Sequence, residues 1–153
     1  WASYTPEEHG VVIAYGSIYG NTEKAAELLA AMLAERGERN IRVYDVSAWH
    51  PSYILSECFR FDRIVFASST YNMEIYPPME TLLLELKGHN MQNRTVSVIE
   101  NGSWAPQSGK KMRELLAQMK DMRVVDSEIS IRSALTEADT EALAALADLL
   151  AAS

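Results

Sequence analysis

The chain has 153 residues, of which 48% are hydrophobic and 23% charged, which is the size and composition of one globular domain. Its net charge of −7 argues against non-specific binding to nucleic acid, which requires a basic surface. The single cysteine excludes an intrachain disulfide and a thiolate metal cluster, and it favours a reducing compartment such as the cytoplasm. Because no apolar run approaches the roughly 18 residues of a membrane helix, we expect no membrane association.

The first nine residues form a polar segment that contains Pro6 and two glutamates. This composition is typical of a linker or tail rather than of a core, and a first residue other than methionine suits a chain cut from a longer protein. We therefore expect residues 1–9 to be a tail or interdomain linker and residues 10–153 to form one domain.

Short apolar runs alternate with segments of helical periodicity along the rest of the chain. The runs are typical of strands buried on both faces of a parallel sheet, and they predict strands at 11–15, 41–46, 63–68, 95–100 and 124–131. Helices are predicted before Gly37, at 52–58, from Pro77, from Ser108, and from Thr136 to about 151. This alternation predicts an α/β fold with a doubly wound, five-stranded parallel sheet.

In such a sheet, ligands bind beyond the carboxyl ends of the strands, where the strand order reverses. The loop after the first strand, residues 16–22 (the first loop), offers the hydroxyls of Ser17 and Thr22 and the amide of Asn21. It ends where a helix begins, and Gly20 permits a positive φ, so the loop suits an anion held by neutral donors. The Walker A and dinucleotide spacings are absent. An ordinary capped turn remains the alternative.

Two more loops follow strands at the same edge. Residues 68–78 (the second loop) are rich in hydroxyl and amide groups and contain two tyrosines, and residues 101–109 (the third loop) place Trp104 among glycine and polar residues. A planar heterocycle needs aromatic faces and polar edge contacts, which these loops provide. The alternative is a pair of surface loops whose aromatic side chains pack into the core.

The motif Ser17-Ile18-Tyr19-Gly20-Asn21-Thr22 resembles the FMN-phosphate loop of flavodoxins, in the form found in flavodiiron proteins. The second loop, with Pro77-Pro78, and the third loop, with Ser108-Gly109, are similar to that family's other flavin loops. The resemblance covers about residues 10–153 and implies a flavodoxin-like fold of strand order 2-1-3-4-5 with FMN as cofactor. The family usually has proline where Ser69 stands, a more glycine-rich third loop, and a di-iron domain that this sequence does not contain.

The resemblance implies that the first loop anchors the phosphate and that the other two loops enclose the isoalloxazine ring. The FMN-binding residues that it implies are Ser17, Ile18, Tyr19, Gly20, Asn21, Thr22, Ser69, Thr70, Tyr71, Asn72, Asn101, Gly102, Ser103, Trp104 and Ser108. Among them, Tyr71, Asn72 and Trp104 are the expected ring contacts. No catalytic residue or metal ligand is expected, and a carboxylate at Glu74 or Glu100 is expected to lower the final reduction potential.

Three functions remain open on the sequence. The first is an FMN-binding electron-transfer flavoprotein, free-standing or a domain of a larger flavodiiron-type oxidoreductase, that exchanges electrons with a redox protein partner. The second is an NAD(P)H-dependent FMN quinone reductase, which ranks lower because no insertion forms a substrate pocket. The third is a cofactor-free interaction module; a phosphoacceptor receiver would need acidic residues where Gly16-Ser17 and Ser68-Ser69 stand. Cys58 is interpreted as a small buried residue.

Overall fold

The computed structural model describes residues 6–18, 20–71, 74–102, 108–125, 129–132 and 134–153. Strands and helices alternate along this part of the chain as predicted. They are β1 (Glu8–Gly16), α1 (Asn21–Glu35), β2 (Ile41–Asp45), α2 (Pro51–Arg60), β3 (Phe61–Tyr71), β4 (Glu74–Ile75), α3 (Pro77–Gly88), β5 (Arg94–Asn101), α4 (Ser108–Ala117), β6 (Met122–Val124), β7 (Ile129–Ile131) and α5 (Glu137–Ala152).

The sheet has the order β2-β1-β3-β5-β6, and β7 also pairs with β5 in parallel. This is the predicted order 2-1-3-4-5, because β5 is the fourth predicted strand and β6 and β7 are two parts of the fifth. Two details differ from the prediction. The fifth strand is found as two short segments, and a two-residue strand, β4, pairs antiparallel with the end of β3. Within the described residues, the sheet therefore has seven strands rather than five.

Alternate residues of the central strands pack on opposite faces of the sheet. Val12 and Ala14 lie in the cluster that includes residues of α2, α3 and α4, whereas Val11, Ile13 and Tyr15 lie in the cluster formed with α1 and α5. Burial of each large apolar side chain stabilises the fold by roughly 1.5–3 kcal/mol. Both faces of the sheet are thus covered by helices, which confirms the doubly wound architecture.

Local signals in the sequence set several helix ends. α3 begins at Pro77 and α4 at Ser108, as predicted. α5 begins after Thr136, whose hydroxyl accepts a hydrogen bond from the Asp139 N–H while the Asp139 carboxylate accepts one from the Thr136 N–H. Gly37 follows α1 with a φ of 91°, a left-handed conformation that favours glycine.

A buried ionic cluster closes the end of the domain opposite to the three loops. The Arg63 side chain is 1% exposed, and its guanidinium binds both carboxylate oxygens of Glu38, at 2.5 and 2.8 Å. It also donates to the Leu150 carbonyl at 2.6 Å and contacts Nε2 of His9 at 2.9 Å. This cluster draws His9 against β3, and β1 begins at Glu8, two residues before the domain boundary expected from the sequence.

Asp62 completes this cluster on its exposed side. Its carboxylate accepts hydrogen bonds from Nδ1 of His9 at 2.6 Å and from the Gly10 N–H at 3.0 Å. Burial alone would raise the pKa of Asp62, but these two hydrogen bonds and the charge of Arg63 outweigh it and hold the pKa below its ordinary value. The ionised form of Asp62 is therefore stabilised by folding.

Candidate functional site

The three loops begin at neighbouring strand ends on the carboxyl edge of the sheet. Gly16 at the end of β1 pairs with Ser68 of β3, and Ser69 of β3 pairs with Asn101 of β5. The chain passes from β1 to β2 on one side and returns to β3 on the other, so the strand order reverses between β1 and β3. This is the position at which an α/β sheet binds ligands.

The described residues of the first loop form a turn that leads into α1. Gly20 lies in the left-handed region, with φ 88° and ψ −12°, and its N–H donates to the Ser17 hydroxyl at 2.8 Å. The Gly20 carbonyl accepts from the Lys24 N–H at 3.1 Å, which opens α1. In the described part of the chain no side chain caps the start of α1. The amides of the first turn and the positive end of the helix dipole thus face the loop.

Ser69 joins the first loop to the second. Its hydroxyl accepts a hydrogen bond from the Ile18 N–H at 3.3 Å and lies 3.0 Å from the hydroxyl oxygen of Thr22. Thr22 and Ser69 are both buried, at 1% and 8% exposure, although Ile18 is exposed. The structure therefore brings three of the predicted site residues into direct contact.

A second group of hydroxyls joins β3 to the start of α4. The Thr70 hydroxyl donates to the Ser108 hydroxyl at 3.0 Å, and the Ser108 hydroxyl donates to the Ser68 carbonyl at 3.4 Å. Ser108 is fully buried. Nearby, the Gly102 N–H donates to the Ile131 carbonyl at 2.9 Å, which fixes the start of the third loop against β7.

Both carboxylates that the sequence analysis selected are bound to α4. Glu100 accepts a hydrogen bond from the Gly109 N–H at 2.8 Å, and a Cβ at position 109 would lie 2.9 Å from that carboxylate. Glu74 forms an ion pair with Lys111 at 2.6 Å. The two charges differ in environment, because Glu74 is neutralised by a cation and Glu100 is held by a backbone amide.

The remaining predicted residues divide into two groups. Asn21 is the first residue of α1, and Asn101 is buried at the end of β5. The others lie outside the described residues, and the structure does not test them: these are Tyr19, Asn72, Ser103 and Trp104, together with the side chain of Tyr71.

Two aromatic residues near the first loop were not selected from the sequence. A Cβ at Gly16 would lie 2.6 Å from Cδ2 of Tyr76, so the Tyr76 ring covers the end of β1. Tyr15 precedes Gly16, and burial, reinforced by the nearby carboxylates of Glu23 and Asp45, raises the pKa of its phenol to about 12. The sequence signal for this contact was Gly16 at the end of a buried strand, because a glycine there indicates that another group packs closely over the backbone.

Other chemistries find little support in the described part of the molecule. Within those residues, no group of three or more His, Cys, Asp or Glu side chains is placed to hold a metal ion, and none of the helices has the length and apolarity to cross a membrane. Cys58 is fully buried, as interpreted from the sequence, and burial raises the pKa of its thiol to about 12. Cys58 therefore carries no reactive thiolate at neutral pH.

Comparison with known proteins matches residues 13–146 to the family described as Flavodoxin. The rubredoxin-oxygen oxidoreductase of Megalodesulfovibrio gigas is 30% identical over 142 residues, which is 92% of this chain. The match spans only 35% of that protein, so the chain corresponds to about a third of this curated relative.

Solved structures give the same result. The rubredoxin oxygen:oxidoreductase of Desulfovibrio gigas superposes with a TM-score of 0.85 at 30% identity, over 97% of this chain and 36% of that one. A flavodoxin from the domain Archaea superposes with a TM-score of 0.78 at 22% identity, over 94% of this chain and 96% of that one, and shares the fold. These matches favour neither the quinone reductase nor the cofactor-free module.

Proposed function

Since the chain belongs to the flavodoxin family, as its three loops predict, we propose that this FMN-binding domain transfers electrons within a larger flavodiiron-type oxidoreductase. The observation that carries the proposal is the first loop, a left-handed Gly20 with Ser17 before an uncapped α1. The likeness to about a third of rubredoxin-oxygen oxidoreductase supports a domain of a larger protein. In this proposal, the residues before β1, 1–7, belong to the linker that joins the domain to the rest.

The residues present fit the phosphate of FMN. Space is open beside Gly20, where a Cβ would meet nothing within 4 Å. Ser17, Asn21 and Thr22 would hold the phosphate together with the first amides of α1, whose dipole stabilises an anion. The first loop contains no Lys or Arg, so the donors are neutral.

The second and third loops would hold the ring, and FMN supplies the redox chemistry when it is bound. The hydroxyl contact from Thr70 to Ser108 fixes the end of β3, which carries the second loop, against the start of α4, where the third loop ends. Glu100 places a negative charge at the start of the third loop, which disfavours the addition of an electron nearby. These residues bind and orient the cofactor and set the electrostatic potential around it.

The partner is proposed to be a small redox protein in the same compartment, which we take to be the cytoplasm. The name of the Megalodesulfovibrio relative pairs that protein with rubredoxin. The acidic net charge of −7 would steer a partner that presents a positively charged face. Electron transfer from the reduced, FMN-loaded protein to such an acceptor should therefore slow as the salt concentration rises.

The decisive experiment compares FMN with riboflavin, which lacks only the phosphate. Titration of the flavin-free protein should give one-to-one binding of FMN and much weaker binding of riboflavin. Ser17→Ala should weaken FMN selectively, whereas the matched control Ser56→Ala, at an exposed position of α2, should leave both affinities unchanged. If neither flavin binds, or if both bind equally, the proposed phosphate site is wrong.

A separate experiment tests the domain assignment. The reading frame that encodes the chain should continue beyond it and encode a di-iron domain, as the family resemblance implies. Sequencing of the full gene decides this point. A frame that encodes only residues 1–153 would instead identify a free-standing flavodoxin.

A further inference from the structure

We propose that Ser69 is a positioning residue, which orients the first loop and the Thr22 hydroxyl for the phosphate. The inference rests on the proposed FMN site. It concerns a residue of the second loop, which the sequence analysis had grouped with the ring contacts. Its basis is the contact of Ser69 with Ile18 and Thr22.

The direction of Ser69 follows from the alternation of β3. Ser68 and Thr70 lie on the same face of β3 as Phe66, which packs in the cluster that includes residues of α4, and the Thr70 hydroxyl contacts Ser108 of α4. Ser69 lies between them, two residues after Ala67, and therefore on the same face of β3 as Ala67, which packs in the cluster with α1. Its side chain therefore turns toward the first loop and away from the group around Ser108.

The two contacts of Ser69 lie on either side of Gly20. Ile18 precedes the left-handed turn, and Thr22 lies in the first turn of α1. A single hydroxyl thus fixes both ends of the short segment that would surround the phosphate. Because Thr22 and Ser69 are almost completely buried, water does not compete effectively for the contact between their hydroxyls.

Hydrogen-bond chemistry assigns a direction to the contact between the two hydroxyls. A serine hydroxyl has one donor and two acceptor positions, and the Ile18 N–H already uses one acceptor position of Ser69. If Ser69 donates its proton to Thr22, the Thr22 proton remains for an external acceptor. A phosphate dianion offers acceptors only, so this direction is the one that suits the ligand.

A proline at position 69 would have no hydroxyl, so it would neither accept from the Ile18 N–H nor donate to Thr22. The contact that holds the first loop therefore depends on the Ser69 hydroxyl. We expect Ser69 to affect the phosphate rather than the ring.

The test is a double-mutant cycle read with FMN and riboflavin. Ser69→Ala should weaken FMN binding by about tenfold or more and leave riboflavin affinity unchanged, since it removes one buried and one part-buried hydrogen bond that position the phosphate loop. Thr22→Val should also weaken FMN. The double variant should lose less affinity than the sum of the two single losses, because part of the effect of Ser69 passes through Thr22. Ser69→Thr, which keeps the hydroxyl, should restore most of the affinity.

Ser97→Ala is the matched control for a buried serine. Ser97 lies in β5 with no exposed surface, and its hydroxyl has no hydrogen-bond partner among the described residues. This variant should leave FMN and riboflavin affinities unchanged. If Ser69→Ala does not fold, as judged by circular dichroism, Ser69→Cys replaces it, since a thiol keeps the volume and forms much weaker hydrogen bonds.

Two results would overturn the proposal. Equal loss of FMN and riboflavin affinity in the Ser69 variant would indicate a general structural role, and additive losses in the cycle would separate Ser69 from Thr22. Failure of the underlying phosphate site is seen differently, because the wild-type protein would then not distinguish FMN from riboflavin. Failure of the phosphate site is therefore seen in the wild-type protein, whereas failure of the Ser69 proposal is seen only in the variants.

Discussion

Gly20 and Gly37 occupy opposite ends of α1 and have almost the same positive φ, at 88° and 91°. At both positions a Cβ would meet nothing within 4 Å. An alanine at either position therefore introduces no steric clash, and its effect comes only from the cost of holding an alanine backbone at a positive φ. Gly37→Ala is for this reason a matched control for Gly20→Ala.

The left-handed conformation costs a residue with a Cβ about 1–2 kcal/mol. At Gly37 this cost should lower the free energy of unfolding by the same amount whether or not FMN is bound. In Gly20→Ala, the flavin-free loop can relax to a conformation without this strain, but binding of the phosphate requires the left-handed conformation again. The cost should then appear in binding and weaken FMN by about 5- to 30-fold.

The assay combines urea unfolding, with and without FMN, and titration of each variant with FMN and riboflavin. Gly20→Ala should lose stability mainly in the FMN-bound form, whereas Gly37→Ala should lose it equally in both forms. If Gly20→Ala binds FMN like the wild type and loses as much stability as Gly37→Ala, the conformation of Gly20 is irrelevant to the phosphate. If both variants lose affinity for both flavins, the effect is global.

Three further predictions concern charged groups. Glu100→Gln should raise the final reduction potential of bound FMN more than Glu74→Gln, since Glu74 is already neutralised by an ion pair; redox titration of the two variants measures the difference. Glu38→Ala should lower the free energy of unfolding by about 3 kcal/mol, because it leaves the buried Arg63 without its main counter-charge. Urea unfolding measures this loss, and Glu35→Ala, at the exposed end of α1, is the control. Asp62 has a lowered pKa, so its contribution to stability is full above its ordinary pKa of 3.8 and is lost as the pH falls through the lower, folded value. Asp62→Asn should remove this part of the acid sensitivity when unfolding is followed from pH 7 to pH 3, and an unchanged pH profile would contradict it.

The sequence predicts best the features that depend only on residues close together in the chain. The alternation of strands and helices, the two covered faces and the helix starts at Pro77, Ser108 and Thr136 follow from local apolar runs and capping residues, whereas the strand order was implied by the family resemblance. The first loop belongs to the same class, because its glycine, hydroxyls and helix start lie within seven residues, 16–22. Such signals do not depend on how distant segments meet.

The features that the sequence does not predict depend on contacts between distant segments. Ser69 and Thr22 are separated by 47 residues, and their contact requires the register of β1 against β3. A shift by one residue would turn Ser69 to the opposite face and bring Ser68 or Thr70 to the first loop. The place of His9 in β1 likewise depends on Asp62, which lies 53 residues away.

The absence of Lys and Arg from the first loop gives these distant contacts their importance. A site with a cation attracts a phosphate over several ångströms and tolerates small errors in position. Neutral donors act only at hydrogen-bond distance and alignment, so their contribution depends on being held in place before the ligand arrives. Gly20 sets the turn, Ser17 closes it, and Ser69 attaches both of its ends to β3. In the proposed site, the affinity of this loop for phosphate would therefore depend on the position of its donors rather than on the charge of a side chain.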